Sequence, residues 1–400
     1  MNINDSEIDL SSLRVAIVHY WFVGRAGGER VVEAITELFP QAQLFSLIAE
    51  PDTMAPDLRR RTLHTSFLQH MPFVRKFYRQ FLFLQPLALE QFDLSGYDLV
   101  ISSESGPAKG VITSPSTCHI CYCHSPMRYI WEMYPRYRQA MNPLLVPFFG
   151  LVANYMRLWD LASASRVDCF VANSRFIADR IGKHYRRKST VIHPPVDVNE
   201  GSIRGIKGDY YLAVGRLVDY KRFDLAIAAC SQLGKPLRVI GDGPEYRKLT
   251  KIAGPTIQFL GRADDHHLRE QLAGCKALIF PGEEDFGIIP VEAQSFGKPV
   301  IAFSSGGALE TIRGGVAGSP QPDNPTGLFF RTQSTECLIE AILAFEQLED
   351  TFDAEVIRRH SMQFDKAVFQ QKFSDFVQLA LADMNRRREP LPAYDDLLSS

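Results

Sequence analysis

The stretch Ala277-Leu278-Ile279-Phe280-Pro281-Gly282-Glu283-Glu284-Asp285-Phe286-Gly287-Ile288-Ile289-Pro290-Val291-Glu292-Ala293 decides the fold. Its first four residues read as a short apolar strand, Pro-Gly ends that strand, and residues 291–296 read as a helix. Strand, loop and helix in that order are the unit of an open parallel α/β sheet. Such sheets bind their ligands beyond the carboxyl ends of the strands. Glu284 sits on that loop, and Glu292 lies in the helix that follows. Two acceptor-only carboxylates beside helix-start N–H groups suit a ligand rich in hydroxyls that also carries phosphate. The plainer alternative has Glu284 capping the helix and Glu292 facing solvent. Phe-Gly-Ile-Ile-Pro weighs against it, because Gly287 lets a ligand come close to the backbone. The next strand, residues 298–302, runs into Ser304-Ser305-Gly306-Gly307, a second loop on the same edge.

Outward from this unit the pattern repeats. Strands are expected at 211–215, 237–240, 257–260, 300–302 and 327–330, with helices at 223–233, 246–252 and 266–273. The amino-terminal half does the same, with strands at 13–19, 42–45, 99–102, 119–123, 169–172 and 190–193. The first of these ends in a glycine loop, residues 20–28, followed by a helix over 29–39. Near-continuous apolar runs joined by helical crossovers predict parallel sheets covered on both faces. Four hundred residues exceed one compact core, so two domains are expected. The polar, glycine-containing stretch after Pro194-Pro195 reads as their linker. The boundaries are 1–200 for the first domain, 201–208 for the linker, 209–365 for the second, and 366–400 for a terminal helix and frayed tail. Two doubly wound halves facing a cleft, with the carboxyl-terminal helices crossing back to the first, complete the expected α/β architecture.

Composition bounds the task. A net charge of −2 leaves no basic excess for nucleic acid. Seven cysteines, three of them bunched at 118, 121 and 123, read as reduced thiols rather than a disulfide framework. Zinc is disfavoured for the bunched set, because alternation along a strand sends the side chains to opposite faces. No Asp-X-Asp triplet offers a divalent metal a place to hold a diphosphate, so no metal or other cofactor is expected. The polar first twelve residues lack an apolar signal segment, and no run of eighteen apolar residues could span a membrane. Residues 143–153 read either as a buried helix or as a surface touching lipid, with Arg136, Arg138 and Arg157 nearby. The basic and aromatic residues 75–84 form a second candidate for membrane contact.

Further clusters belong at strand ends. Gly215-Arg216-Leu217-Val218-Asp219-Tyr220-Lys221-Arg222 places two fixed cations, Arg216 and Lys221, where a diphosphate could lie; a solvated surface loop is the alternative. Gly241-Asp242-Gly243-Pro244 is a tight turn that either lines the phosphates or merely reverses the chain. Gly261 follows the next strand and could meet a nucleobase through backbone groups. Gly27 and Gly28 open a helix, but the spacing is not a dinucleotide fingerprint. His124, just past a strand end in Cys121-Tyr122-Cys123-His124-Ser125-Pro126, is exposed by the Ser-Pro break where other loops should converge.

With these motifs the chain resembles the family 4 retaining glycosyltransferases of the GT-B fold over nearly its whole length. The diagnostic elements are Gly-Arg-Leu-Val-Asp-Tyr-Lys-Arg (215–222), Gly-Asp-Gly-Pro (241–244), Phe-Leu-Gly (259–261) and the Glu-X7-Glu block from 284 to 292. Cys-His-Ser-Pro-Met-Arg (123–128) and Gly-Gly-Glu-Arg (27–30) look most like bacterial polysaccharide mannosyltransferases. The resemblance implies transfer of a hexose, mannose from GDP-mannose, to a polysaccharide or lipid-linked oligosaccharide, at or near the inner face of the cell membrane. By it, Arg216 and Lys221 would bind the donor diphosphate and Glu292 the ribose. Glu284 and the Phe286-Gly287-Ile288 backbone would hold the transferred sugar, with Gly241 and Gly261 lining the donor site. His124 would touch the sugar near the reacting carbon, and Gly27 and Gly28 would admit donor phosphates or acceptor. Glu284 as a covalent nucleophile is the runner-up to attack from the face the diphosphate leaves. A UDP- or dTDP-linked donor, an epimerase of the same fold, a nicotinamide oxidoreductase and a non-catalytic subunit are the competing readings.

Overall fold

The computed structural model describes residues 8–201, 203 and 208–388. It holds two wholly parallel sheets. The first is built from β1 (Val15–His19), β2 (Gln43–Ser46), β3 (Leu63–Thr65), β4 (Leu99–Glu104), β5 (Cys118–Cys123), β6 (Cys169–Ala172) and β7 (Ser189–Val191), in spatial order 3-2-1-4-5-6-7. The second comprises β8 (Tyr211–Val214), β9 (Leu237–Ile240), β10 (Ile257–Gly261), β11 (Ala277–Phe280), β12 (Val300–Phe303) and β13 (Gly327–Phe330), in order 10-9-8-11-12-13. In each sheet the order reverses once, between β1 and β4 and between β8 and β11. Those two points are where a doubly wound sheet opens a crevice at its carboxyl edge.

The central strands are covered on both faces. Every residue of β1, β4, β5, β8 and β11 is buried, which is why they read as apolar runs without alternation. Cys118, Cys121 and Cys123 are buried thiols of β5 that form no disulfide. β3 escaped the sequence reading because Leu63-His64-Thr65 is short, polar and only partly covered, as befits a strand at the edge of its sheet. Helices start where side chains can cap them. Asp264, Ser334 and Asp353 each accept a backbone N–H from the first turn of the helix that follows.

The chain divides into two compact units. The first takes in the residues up to 172, then 177–192, then those from 370 onward; the second takes 173–176 and 193–369. Composition placed a linker at 201–208, and 202 and 204–207 lie outside the described residues, as does the expected frayed tail from 390. Residues 193–200, assigned to the first domain by sequence, fold with the second. Val196 donates its N–H to the Phe364 carbonyl at 3.0 Å, and Val196 and Val198 share an apolar cluster with Phe286, Val291 and Phe364. Burial of that cluster outweighs the polar composition nearby. From Gln370 the last helix, Lys366–Arg388, returns to the first unit, where Gln370 donates to the Ala34 carbonyl at 3.1 Å and Phe373 meets the Tyr122 ring.

Candidate active site

In the second unit, the loops after β8, β9, β11 and β12 stack on one another at the reversal point. Gly215 ends β8 at φ +147, a conformation that side chains rarely adopt. A Cβ there would also stand 3.1 Å from Lys221 Nζ, so the glycine makes room for the lysine. Gly241, at φ +141, packs against the Gly215 backbone and donates its N–H to the Gly261 carbonyl at 2.7 Å. Leu217 donates to the Asp242 carbonyl at 2.9 Å. These close approaches explain why the loops carry glycine.

Lys221 and Glu284 meet. Lys221 Nζ donates to Glu284 Oε1 at 2.6 Å, with the side chains 16% and 21% exposed. Gly282 brings the β11 loop against the Lys221 backbone, and Gly307 donates its N–H to the Glu284 carbonyl at 2.8 Å. Glu284 is thus held by main chain from one side and by a cation from another. Arg216 is exposed on the same β8 loop. Glu292 is half-buried on the helix Ile288–Ser295, which begins one turn earlier than the sequence reading because Gly287, at φ +91, serves as its N-cap. The Phe286 ring is buried beside His193, with 5.4 Å between centroids, and belongs to the core. Only its backbone is available to a ligand.

His124, Gly27 and Gly28 belong to the first unit, at the reversal point between β1 and β4. His19 ends β1 directly opposite Ser103 of β4, and His124 follows β5. His124 Nε2 lies 2.9 Å from Ser103 Oγ, which lies 3.1 Å from His19 Nδ1. Gly28 sits in the first turn of the helix Gly27–Leu38, where a Cβ would be 3.3 Å from Tyr20 Oη and 3.6 Å from His124 Nε2. Burial, reinforced by the neighbouring His19, drives the His124 pKa down to about 3, so its imidazole is neutral at physiological pH. Glu29 is also buried, which alone would raise its pKa. Its contacts with His19 and with backbone N–H groups outweigh burial and leave it lowered, hence ionised.

Sequence reasoning missed His19 and Ser103. Polar residues at or just before the last position of buried strands were the available signal, and each looked like the end of an apolar run. It also missed a buried ion cluster behind β4, where Lys109, Glu104 and Asp160 are all fully buried. Lys109 Nζ lies 3.0 Å from Glu104 Oε1 and pairs with Asp160. Asp160 also accepts from Trp131 Nε1 at 2.7 Å and Tyr185 Oη at 3.0 Å. A shallow cavity of about 600 Å³ lined by Arg14, Gln43, Asp93 and Tyr97 lies at the opposite, amino-terminal edge of the first sheet, away from all these groups.

Among known proteins, residues 25–200 match the family described as Glycosyltransferase Family 4, and residues 203–361 match Glycosyl transferases group 1. The alpha-1,3/1,6-mannosyltransferase ALG2 of Saccharomyces cerevisiae is 26% identical over 64% of this chain and 60% of its own length. An uncharacterized glycosyltransferase of Methanocaldococcus jannaschii, MJ1178, is 29% identical over 40% of this chain and 47% of its own. The chain thus spans about half the length of these curated relatives. Among solved structures, Anabaena HepE in complex with UDP and glucose superposes with a TM-score of 0.64 at 15% identity, covering 91% of this chain and 99% of HepE. Sucrose-phosphate synthase from Thermosynechococcus elongatus gives 0.65 at 14%, covering 92% and 100%. Two doubly wound parallel sheets, together with family matches over residues 25–200 and 203–361, show that the chain belongs to glycosyltransferase family 4 and has the GT-B fold.

Proposed function

We propose that this protein transfers mannose from GDP-mannose to a hydroxyl of a polysaccharide or lipid-linked oligosaccharide, with retention of anomeric configuration and without a metal. The observation that carries the reading is the Lys221–Glu284 pair at the β8/β11 reversal point. It sets a cation for pyrophosphate beside a carboxylate for sugar hydroxyls, at the edge where such sheets bind nucleotides. Lys221 and Arg216 neutralise the leaving diphosphate. Glu284 and the Gly287–Ile288 backbone orient the sugar, Glu292 accepts from the ribose, and Gly241 and Gly261 line the donor. His124 contacts the transferred sugar. The acceptor oxygen attacks from the face the diphosphate leaves, the C1–O bond to phosphate breaks, and a phosphate oxygen takes the acceptor proton. Such a transition state needs positioning and leaving-group stabilisation above all. Mannose is supported by the naming of the ALG2 relatives. A UDP-linked donor is the second reading, favoured by the UDP complex of HepE. Protection from thermal unfolding decides between them. GDP-mannose raises the midpoint more than UDP-glucose under the first reading, and the reverse order overturns it.

The acceptor side of the proposal includes a membrane surface. The helix Val146–Ala164 buries Ala153, Met156, Asp160, Ser163 and Ala164, yet its outward stripe is also apolar. Phe148, Leu151, Tyr155, Leu158 and Leu161 recur every three or four residues, and all are exposed, Leu151 by 72%. The reading of a wholly buried helix therefore does not hold. Among the described residues no helix is long and apolar enough to cross a membrane. A stripe of that kind beside the exposed Arg136 and Arg138 suits the surface of an anionic bilayer. Each such side chain is worth about 1.5–3 kcal/mol when fully buried. The double change Phe148→Glu and Leu151→Glu therefore lowers partition onto phosphatidylglycerol vesicles by at least about tenfold. Equal vesicle binding by wild type and variant, or self-association through this face in gel filtration, contradicts the reading.

A further inference from the structure

The structure assigns Glu29, His19 and Ser103 as positioning residues that fix the tautomer of His124, through two hydrogen bonds at Ser103 whose direction is set by the Glu29 carboxylate facing His19. The inference rests on the reading of His124 as a sugar contact. Its geometry comes from the first unit alone.

Glu29 is tied at one carboxylate oxygen and faces His19 with the other. Oε2 accepts the Ala26 backbone N–H at 3.0 Å, closing the first turn of the helix. Oε1 faces His19 Nε2 at 3.6 Å, with the imidazole fully buried and the carboxylate nearly so. A carboxylate carries no proton to give, so the favourable partner across that gap is an N–H. In a neutral imidazole the proton then sits on Nε2, and Nδ1 carries the lone pair. Ser103 Oγ, 3.1 Å from that lone pair, must donate its single proton there. Having spent it, the hydroxyl can only accept from its other neighbour, so His124 Nε2, at 2.9 Å, must be the donor. The order is fixed from one end to the other. His124 carries its proton on Nε2, and its Nδ1 is unprotonated.

The strands that supply the chain are the two that flank the reversal point, with His19 and Ser103 paired in register. A polar hydroxyl bridging two buried rings is costly to leave half-satisfied. The arrangement is therefore a constraint on His124 rather than an incidental contact.

Glutamine at position 29 reverses the chain by the same rules. The Ala26 N–H can be satisfied only by the amide oxygen, which turns the NH₂ group towards His19 Nε2. That nitrogen becomes an acceptor, Nδ1–H donates to Ser103, Ser103 donates to His124, and the proton of His124 moves to Nδ1. Two-bond ¹H–¹⁵N spectra of the full protein, with the histidine signals assigned by single substitutions, report which ring nitrogen is protonated. The expected result is Nε2–H at His124 in the wild type and a shift towards Nδ1–H in Glu29→Gln. In Ser103→Ala the His124 signals become insensitive to Glu29→Gln, and Ser103→Thr restores the coupling. In turnover, Ser103→Ala lowers kcat by about tenfold or more with a smaller change in KM, as expected for lost orientation of a reacting contact, and Ser103→Thr recovers most of it. An Nδ1–H tautomer at wild-type His124, a doubly protonated His19, or a Glu29→Gln spectrum that changes at His19 but not at His124 overturns the assignment. The wild-type spectrum needs no substrate. A failed donor assignment would therefore leave this result standing, and a failed tautomer result would leave donor binding untouched.

Discussion

Replacing Lys221 by alanine weakens binding of the nucleotide-sugar by about 100-fold, which corresponds to about 2.7 kcal/mol and matches the loss of a charge-assisted hydrogen bond to a desolvated phosphate. Calorimetric titration of donor into wild type and variant measures it. The loss exceeds that of an ordinary surface lysine because Lys221 is only 16% exposed and main chain hems it in. Gly215 leaves space for one narrow ammonium, and Gly282 passes against its backbone. Lys221→Arg does not rescue, since the planar guanidinium needs volume the loops do not leave. Glu284→Gln tests the partner. Removing its charge releases Lys221 from the 2.6 Å pair, so diphosphate alone binds no worse while the intact donor loses sugar contacts. Unchanged donor affinity in Lys221→Ala would remove the basis for placing the diphosphate at the β8/β11 loops.

The second large effect concerns folding. Lys109→Met destabilises the first unit by about 3–5 kcal/mol, because it leaves the buried Glu104 and Asp160 carboxyls without the cation that offsets their burial. Burial, opposed by Lys109, already pushes the Glu104 pKa up to about 7, so the balance there depends on the lysine. At about 2–4 °C per kcal/mol for a unit of this size, the unfolding midpoint falls by roughly 10 °C. Adding Glu104→Gln and Asp160→Asn restores much of the loss, because an uncharged cluster has no ions to desolvate. Trp131 and Tyr185, which donate to the Asp160 carboxylate in the wild type, can still donate to the amide oxygen that replaces it in the triple variant. A Lys109→Met midpoint within about 2 °C of wild type would show that the cluster contributes little to stability.

How far the sequence spoke can be judged residue by residue. The parallel strands announced themselves, since burial on both faces demands unbroken apolar runs, and Ala277–Phe280 or Val15–His19 could be little else. β3 did not, because an edge strand needs no such run. The membership of residues 193–200 in the second unit was hidden for a related reason, as Val196 and Val198 are two isolated apolar residues whose partner, Phe364, lies far along the chain. In the candidate site, Lys221, Glu284, Gly215, Gly241 and Gly287 were legible because turns with positive φ and close backbone approach leave a glycine signature beside the charged groups. His19 and Ser103 were hidden, as was their relation to Glu29. Their relation is lateral, across strands and onto a helix start, and nothing in local spacing encodes which strand lies beside which. The outward apolar face of Val146–Ala164 was half-visible, because periodicity shows that a helix is apolar all round but not which side another element covers.

The most direct measurement is the structure of the protein with GDP-mannose bound. Pyrophosphate oxygens within hydrogen-bond distance of Lys221 Nζ, with the hexose lying over the Glu284–Ile288 loop, are the expected result. Nucleotide density against Arg14, Asp93 and Tyr97 at the amino-terminal edge of the first sheet, with the Lys221–Glu284 pair undisturbed, would contradict it.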